Sequence, residues 1–473
     1  MSENLVKTPK TARHAPGQTA DSCRPCAAAP PQVWGVPEST EVHMSATPLA
    51  RFLTCAAAAV LATACGTAKA VDPVTAADDA TGGADANGPA DADGPADADA
   101  AADVVTGADA NDATGADTTT DSTVDAADAS SETAMPSLKD LKVGEFAEIK
   151  PGGATRCSRD TPFAFFVVRG TVDRVLLEFE GGGACWDTTT CSIGKSLCKE
   201  DVKETEKAIA SGDFHGIYDT KNPANPFKDW HHVYVPYCTC DIHWGDNDKS
   251  YGIAPDEFKV MHRGAVNARK VLEWVYANFS KPERFFVTGC SAGAYGSLAW
   301  SAYVMHHYPD VPVVQMGDSG AGVITKSFLA DSFPNWKALP TMPAWIPALD
   351  PTKIDLNVMT LGDVYHEVGL ANPKQAMSQY NTMYDENQTF YFKTMGGGDD
   401  VAWNAEMLKS VQKIMDTTPN FHAYVAPGNV HCILPFDAFY TTESNGKKLT
   451  AWIQDAIDGK AGANVLCQGC TKK

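Results

Sequence analysis

RFFVTGCSAGAYGSLAW, residues 284–300, decides the fold. An apolar, β-rich run, Arg284 to Thr288, leads straight into Gly289-Cys290-Ser291-Ala292-Gly293, and a helical stretch then runs from Ala292 towards His307. G-x-S-x-G alone is a weak pattern. Between a strand and a helix it describes a strained turn in which the Ser side chain stands clear of a sheet at the positive end of a helix. The small residues flanking Ser291 suit a turn with no room for larger ones. Ser291 is therefore the candidate nucleophile.

Outward from this turn, short β-rich runs alternate with helical patterns, as in an α/β domain with a mostly parallel sheet flanked by helices. The strand candidates are Arg174–Glu180, His232–Val235, Arg284–Thr288, Val311–Met316, Ala376–Tyr384 and Phe421–Val425. The spacing predicts helices over Phe258–Phe279 and from Leu449, where Leu449, Trp452, Ile453, Ala456 and Ile457 form one apolar stripe. No G-x-G-x-x-G follows the first strand and no phosphate-binding Walker loop is present, so no nucleotide cofactor is expected.

A serine needs a base, and the base an orienting acid. In α/β-hydrolases these follow the nucleophile in the order acid, then His, each on a loop after a later strand. Asp385 follows the run ending Asn381-Thr382-Met383-Tyr384, and His431 lies just after Phe421–Val425. Of the 12 His, only His422 and His431 lie beyond Asp385, and His422 falls inside the strand. Rivals for the acid are Asp318, Asp363, Asp399 and Asp400, with Asp318 the foremost because it ends the strand after the nucleophile. Glu180-Gly181-Gly182-Gly183-Ala184 closes an earlier strand and lets backbone N–H groups turn inwards. The oxyanion hole is expected from the amides of Gly183 and Ala292, with Gly182 as a third donor. Trp186, His243 and Trp244 are candidates to line a substrate cleft, and equally candidates for the core.

The chain has 473 residues, is 44% hydrophobic and 21% charged, and carries a formal net charge of -21. Asp72 to Glu132 contributes -16 of that charge, and residues 133 to 473 only -7. Neither part supplies the basic footprint that nucleic acid requires. Residues 66–135, rich in Ala, Asp, Gly and Thr, read as an acidic disordered linker, and 136–473 as the folded domain. Phe52 to Ala64 is an uncharged run of 13 residues, too short to span a bilayer, and reads as the core of an export signal over 44–65. It ends in Ala62-Thr63-Ala64-Cys65-Gly66, which resembles a bacterial lipobox with Cys65 as a membrane tether; plain secretory cleavage is the alternative. Residues 1–43 would then be an extension ahead of a true start at Met44. Ten of the 14 Cys (157, 185, 191, 198, 238, 240, 290, 432, 467 and 470) lie beyond this signal and are expected in disulfides rather than on a metal.

Several spaced motifs together resemble the pectin acetylesterase family, which includes plant deacetylases, Notum and bacterial exported proteins. They are Cys157-Ser158-Arg159-Asp160-Thr161-Pro162, the Glu180 to Trp186 loop, Val235-Pro236-Tyr237-Cys238, Arg263 to Ala268, the Ser291 turn, Gly317-Asp318-Ser319-Gly320, Tyr384-Asp385-Glu386-Asn387-Gln388 and His431-Cys432. The resemblance implies a disulfide-containing α/β-hydrolase-like esterase without metal or organic cofactor, and places the acid at Asp385. Plant members commonly have Trp where this chain has Ala184, and Notum has Trp at the place of Gly183, so chemistry carries over better than substrate. The substrate expected is an acylated extracellular polysaccharide or small ester. A fatty acyl ester is the second reading, and a surface binding protein on the same scaffold the rival class.

Overall fold

In the computed structural model, residues 134–460 and 462–472 are described. The extension over 1–43, the export signal with Cys65, and the linker up to residue 133 lie outside the described residues. Met135 already packs against the core.

The strands in chain order are β1 (Phe146–Ile149), β2 (Phe165–Val168), β3 (Arg174–Phe179), β4 (His231–Val235), β5 (Asn247–Tyr251), β6 (Phe258–His262), β7 (Arg284–Cys290), β8 (Val313–Asp318), β9 (Ala376–Thr382), β10 (Phe421–Ala426), β11 (Glu443–Ser444), β12 (Lys447–Lys448) and β13 (Val465–Leu466). The helices are α1 (Lys203–Ser211), α2 (Gly264–Asn278), α3 (Ala292–His307), α4 (Phe328–Trp336), α5 (Leu361–Ala371), α6 (Glu386–Thr394), α7 (Asp400–Thr417) and α8 (Leu449–Ile457). Nine strands form one sheet in the order β1-β2-β4-β3-β7-β8-β9-β10-β13. β2 runs antiparallel to β1 and β4, and every later pairing in this sheet is parallel. This is an α/β-hydrolase-like fold with the Ser291 turn on a central strand.

Central strands covered on both faces are shielded from water along their whole length, and β4 and β8 are buried at every position, the polar His231, His232, Gln315 and Asp318 included. Alternate side chains feed two cores. Leu177, Phe179, Phe285 and Val287 join the face packed with α2, α3, α5 and α7, whereas Leu176 and Phe286 meet Trp452 and Ile453 of α8. Helix α3, apolar nearly all round, is buried on most of its surface.

One expected helix is shorter than its sequence pattern. Phe258–His262 pairs with Asn247–Tyr251 as an antiparallel hairpin, and the helix begins only at Gly264. Phe258, Val260 and His262 alternate inwards, a period-2 pattern that a short apolar run shares with a helix. The Asp241 carboxylate accepts the Gly264 amide at 2.7 Å and so satisfies one of the helix's free N–H groups. All ten domain cysteines are paired, as Cys157–Cys238, Cys185–Cys191, Cys198–Cys240, Cys290–Cys432 and Cys467–Cys470.

Candidate active site

Ser291 caps α3 with φ +58° and ψ -119°, a conformation forced by the tight passage from β7 into the helix. Its amide donates to the Asp318 carbonyl at 2.8 Å. Both flanking glycines are required by close backbone approach. A Cβ at Gly289 would lie 2.3 Å from the Gly293 carbonyl oxygen and 2.4 Å from that of Phe179. At Gly293 it would lie 1.9 Å from the Phe179 oxygen, so Gly293→Ala forces α3 and β3 apart. The expected result is a loss of about 2–3 kcal/mol of stability, read as a lowered thermal unfolding midpoint.

Asp385 is fully buried and caps α6. Its Oδ1 accepts the amides of Asn387 at 3.0 Å and Gln388 at 2.9 Å, and its Oδ2 accepts the Gln388 side-chain amide at 3.0 Å. His431 Nδ1 lies 2.9 Å from both carboxylate oxygens. A carboxylate only accepts, so Nδ1 carries the proton and Nε2 is left as the basic nitrogen. Burial alone would push the His431 pKa down, but the charge and hydrogen bond of Asp385, with Asp318 adding to them, outweigh it and hold it above the ordinary value. Ser291 and His431 line one open cleft of about 570 Å³. The Ser291 hydroxyl has no hydrogen-bond partner among the described residues; such contacts commonly tighten only with substrate bound.

The glycine loop lies against the turn, and a Cβ at Gly181 would lie 2.5 Å from the Cys290 carbonyl oxygen. Gly183 has φ +79°, and a Cβ there would lie 2.0 Å from the Leu197 carbonyl oxygen and 2.1 Å from the Tyr391 hydroxyl. Gly183 and Ala292 both line the cleft, and neither amide has a partner among the described residues. Gly182 does not line it; its flank packs on Tyr237 and Lys199. The loop hangs from Glu180, whose carboxylate takes Lys199 Nζ at 2.5 Å and the Tyr237 amide at 2.9 Å.

Trp186, His243 and Trp244 are not brought to the cleft. Trp244 is fully buried, with its indole N–H on the Tyr295 carbonyl at 2.8 Å. Trp186 is buried behind Phe328, a cleft residue, at 5.0 Å between ring centroids. His243 is buried, and burial pushes its imidazole down to about 4. As a neutral ring it donates from Nε2 to the Glu180 carbonyl at 2.9 Å, supporting the glycine loop from behind.

The rival acids have other partners. Asp399 caps α7, Asp363 accepts the amide of Thr360, the cap of α5, at 2.9 Å, and Asp400 pairs with Lys472 at 2.7 Å. Asp363 also pairs with Lys413 at 2.7 Å. Asp318 is fully buried, and burial pushes its carboxyl up to about 6 against the pull of the Leu434 and Ile433 amides. The residues unforeseen from sequence are those closing the cleft: Ile242, Tyr295, Ser319, Val323, Ile324, Phe328, Leu361, Tyr391 and Met395. Gln388, within the motif that carries Asp385, joins the acid to the cleft wall by accepting the Ala321 amide at 2.8 Å.

Residues 149–333 match the family model described as Pectinacetylesterase. Pectin acetylesterase 11 of Arabidopsis thaliana is 33% identical over 129 residues, 27% of this chain and 31% of that protein. Pectin acetylesterase 7 of the same plant is 30% identical over 129 residues, again 27% of this chain and 31% of that one. The chain thus spans about a third of the length of the curated relatives it matches. Among solved structures, the Wnt deacylase Notum from Drosophila superposes with a TM-score of 0.52 at 16% identity, covering 69% of this chain and 96% of that one. That likeness establishes the shared fold.

Proposed function

We propose that this domain is a serine carboxylic-ester hydrolase that removes acetyl groups from an extracellular polysaccharide. The observation that carries the reading is His431, oriented by Asp385 in the cleft onto which Ser291 opens. Ser291 attacks the acyl carbon and His431 takes its proton. Asp385 holds the imidazole and stabilises the imidazolium, while the free amides of Gly183 and Ala292 receive the oxyanion. The alcohol leaves with the proton from His431, and water, activated by the same His, releases the acid. Five disulfides suit an oxidising compartment, and support an exported protein, either secreted or held at the envelope through Cys65.

A second reading, a fatty acyl ester, has one observation in its favour: the cleft wall of Ile242, Val323, Ile324, Phe328, Leu361 and Met395 is apolar. Aryl esters of increasing acyl length decide between them, with Ser291→Ala as the blank. The expected result is kcat/KM greatest on acetate and falling with chain length. A maximum on long chains moves the assignment to the fatty acyl ester. No turnover above the blank on any ester, by folded protein, leaves a binding protein.

A further inference from the structure

Asp318 is a buried carboxylate beside this site without a part in the chemistry, and its contacts reach both reacting side chains through the backbone. We propose that Asp318, with Ser319, is a positioning element that holds the nucleophile turn and the base loop in register; this rests on the catalytic roles given above to Ser291, His431 and Asp385. Asp318 ends β8 opposite Cys290 of β7, and its carbonyl accepts the Ser291 amide at 2.8 Å. Its side chain points to the base loop, where Oδ2 accepts the amides of Ile433 and Leu434, each at 2.9 Å. Ser319 Oγ accepts the Cys432 amide at 2.9 Å and donates to Asp318 Oδ1 at 3.3 Å. Three consecutive amides after His431 are thus bound by the residue whose carbonyl fixes Ser291 and by its neighbour.

The other half of the loop is tied elsewhere. Before His431, the carbonyls of Gly428, Asn429 and Val430 accept from the Tyr384 amide at 3.0 Å, the Glu386 amide at 3.2 Å and the Thr382 hydroxyl at 3.0 Å. These donors belong to the segment that carries Asp385. His431 is therefore suspended between two anchors, one registered to the acid and one to the nucleophile, and the Cys290–Cys432 disulfide joins the residue before Ser291 to the residue after His431. A displacement of about 1 Å between nucleophile and base is enough to lower turnover about a hundredfold, without altering the cleft that binds substrate.

The test is steady-state kinetics of Asp318→Ala, Asp318→Asn and Ser319→Ala on the aryl ester that the wild type cleaves fastest, with circular dichroism to confirm folding. Asp318→Ala should lower kcat about a hundredfold with KM within about twofold. Asp318→Asn should recover most of this, because its carbonyl oxygen can accept from Ile433 and Leu434 while its NH₂ donates to Ser319 Oγ. If Asp318→Ala does not fold, Ser319→Ala carries the test through a fall of about fivefold to tenfold in kcat; Ser319 also lines the cleft, so kcat and not KM is the readout for this variant. The proposal is overturned if Asp318→Ala keeps kcat within about threefold, if folded Asp318→Asn is as inactive as the alanine variant, or if Ser319→Ala is indistinguishable from wild type. An inactive wild type would instead overturn the esterase reading beneath it, so the two failures are separable.

Discussion

Ser291→Ala lowers kcat on the fastest aryl ester by a factor on the order of 10⁶ while leaving the protein folded. The variant is clean for a structural reason. What strains residue 291 is its φ of +58°, and Ala meets the same backbone constraint with the same Cβ. The hydroxyl has no partner among the described residues, so its removal leaves no buried group unsatisfied, and the stability change should stay within about 0.5 kcal/mol. His431→Ala should cost nearly as much alone, and the double variant little more, because a nucleophile without its base and a base without its nucleophile fail at the same step. Strictly additive losses would mean that the two residues do not act as a unit. Residual turnover in all three would measure the share that the proposed mechanism gives to the Gly183 and Ala292 amides and to substrate binding. Activity undiminished in Ser291→Ala would remove the nucleophile and with it the proposed mechanism.

What was legible in the sequence, and what was not, follows from where each constraint acts. The Ser291 turn is local: Gly289 and Gly293 are needed because the Phe179 backbone passes where their Cβ atoms would be, so the geometry leaves its mark within five residues. That Asp385 and His431 would meet could be read from chain order, because a parallel sheet delivers successive loops to one edge. Trp186, His243 and Trp244 could not be sorted into cleft or core, since an aromatic beside a glycine loop has the same sequence signature whether it faces solvent or backs the loop. Phe258–His262 was misread as helix because five residues of mixed polarity fit both periods. Asp318 was visible as an acid but not as a clamp: its partners are main-chain amides of Ile433 and Leu434, which any residue types would provide.

Asp385→Asn should lower kcat by about 10⁴-fold, and move the acid limb of the rate profile towards lower pH. Asn is as good a helix cap as Asp, and its oxygen can keep the amides of Asn387 and Gln388, so α6 should stay in place. What changes is the Oδ2 side, which faces His431 and the Gln388 side-chain amide. One of the two atoms 2.9 Å from Nδ1 becomes an NH₂ donor, which favours the tautomer with the proton on Nε2, the wrong nitrogen to accept from Ser291. The anion that stabilises the imidazolium is lost as well. The base works only when neutral, so in the wild type the rate falls as pH drops through a His431 pKa held above the ordinary histidine value, largely by Asp385. Without that charge the same protonation occurs at lower pH, and the limb shifts down even as the plateau collapses. A full pH profile of kcat for Asp385→Asn beside Asp318→Asn separates the two carboxylates. If Asp318 were the true acid, the large loss would fall on Asp318→Asn and Asp385→Asn would be nearly silent. The arrangement of hydrogen bonds predicts the reverse, because only Asp385 touches the His431 ring, whereas Asp318 holds the chain that bears it.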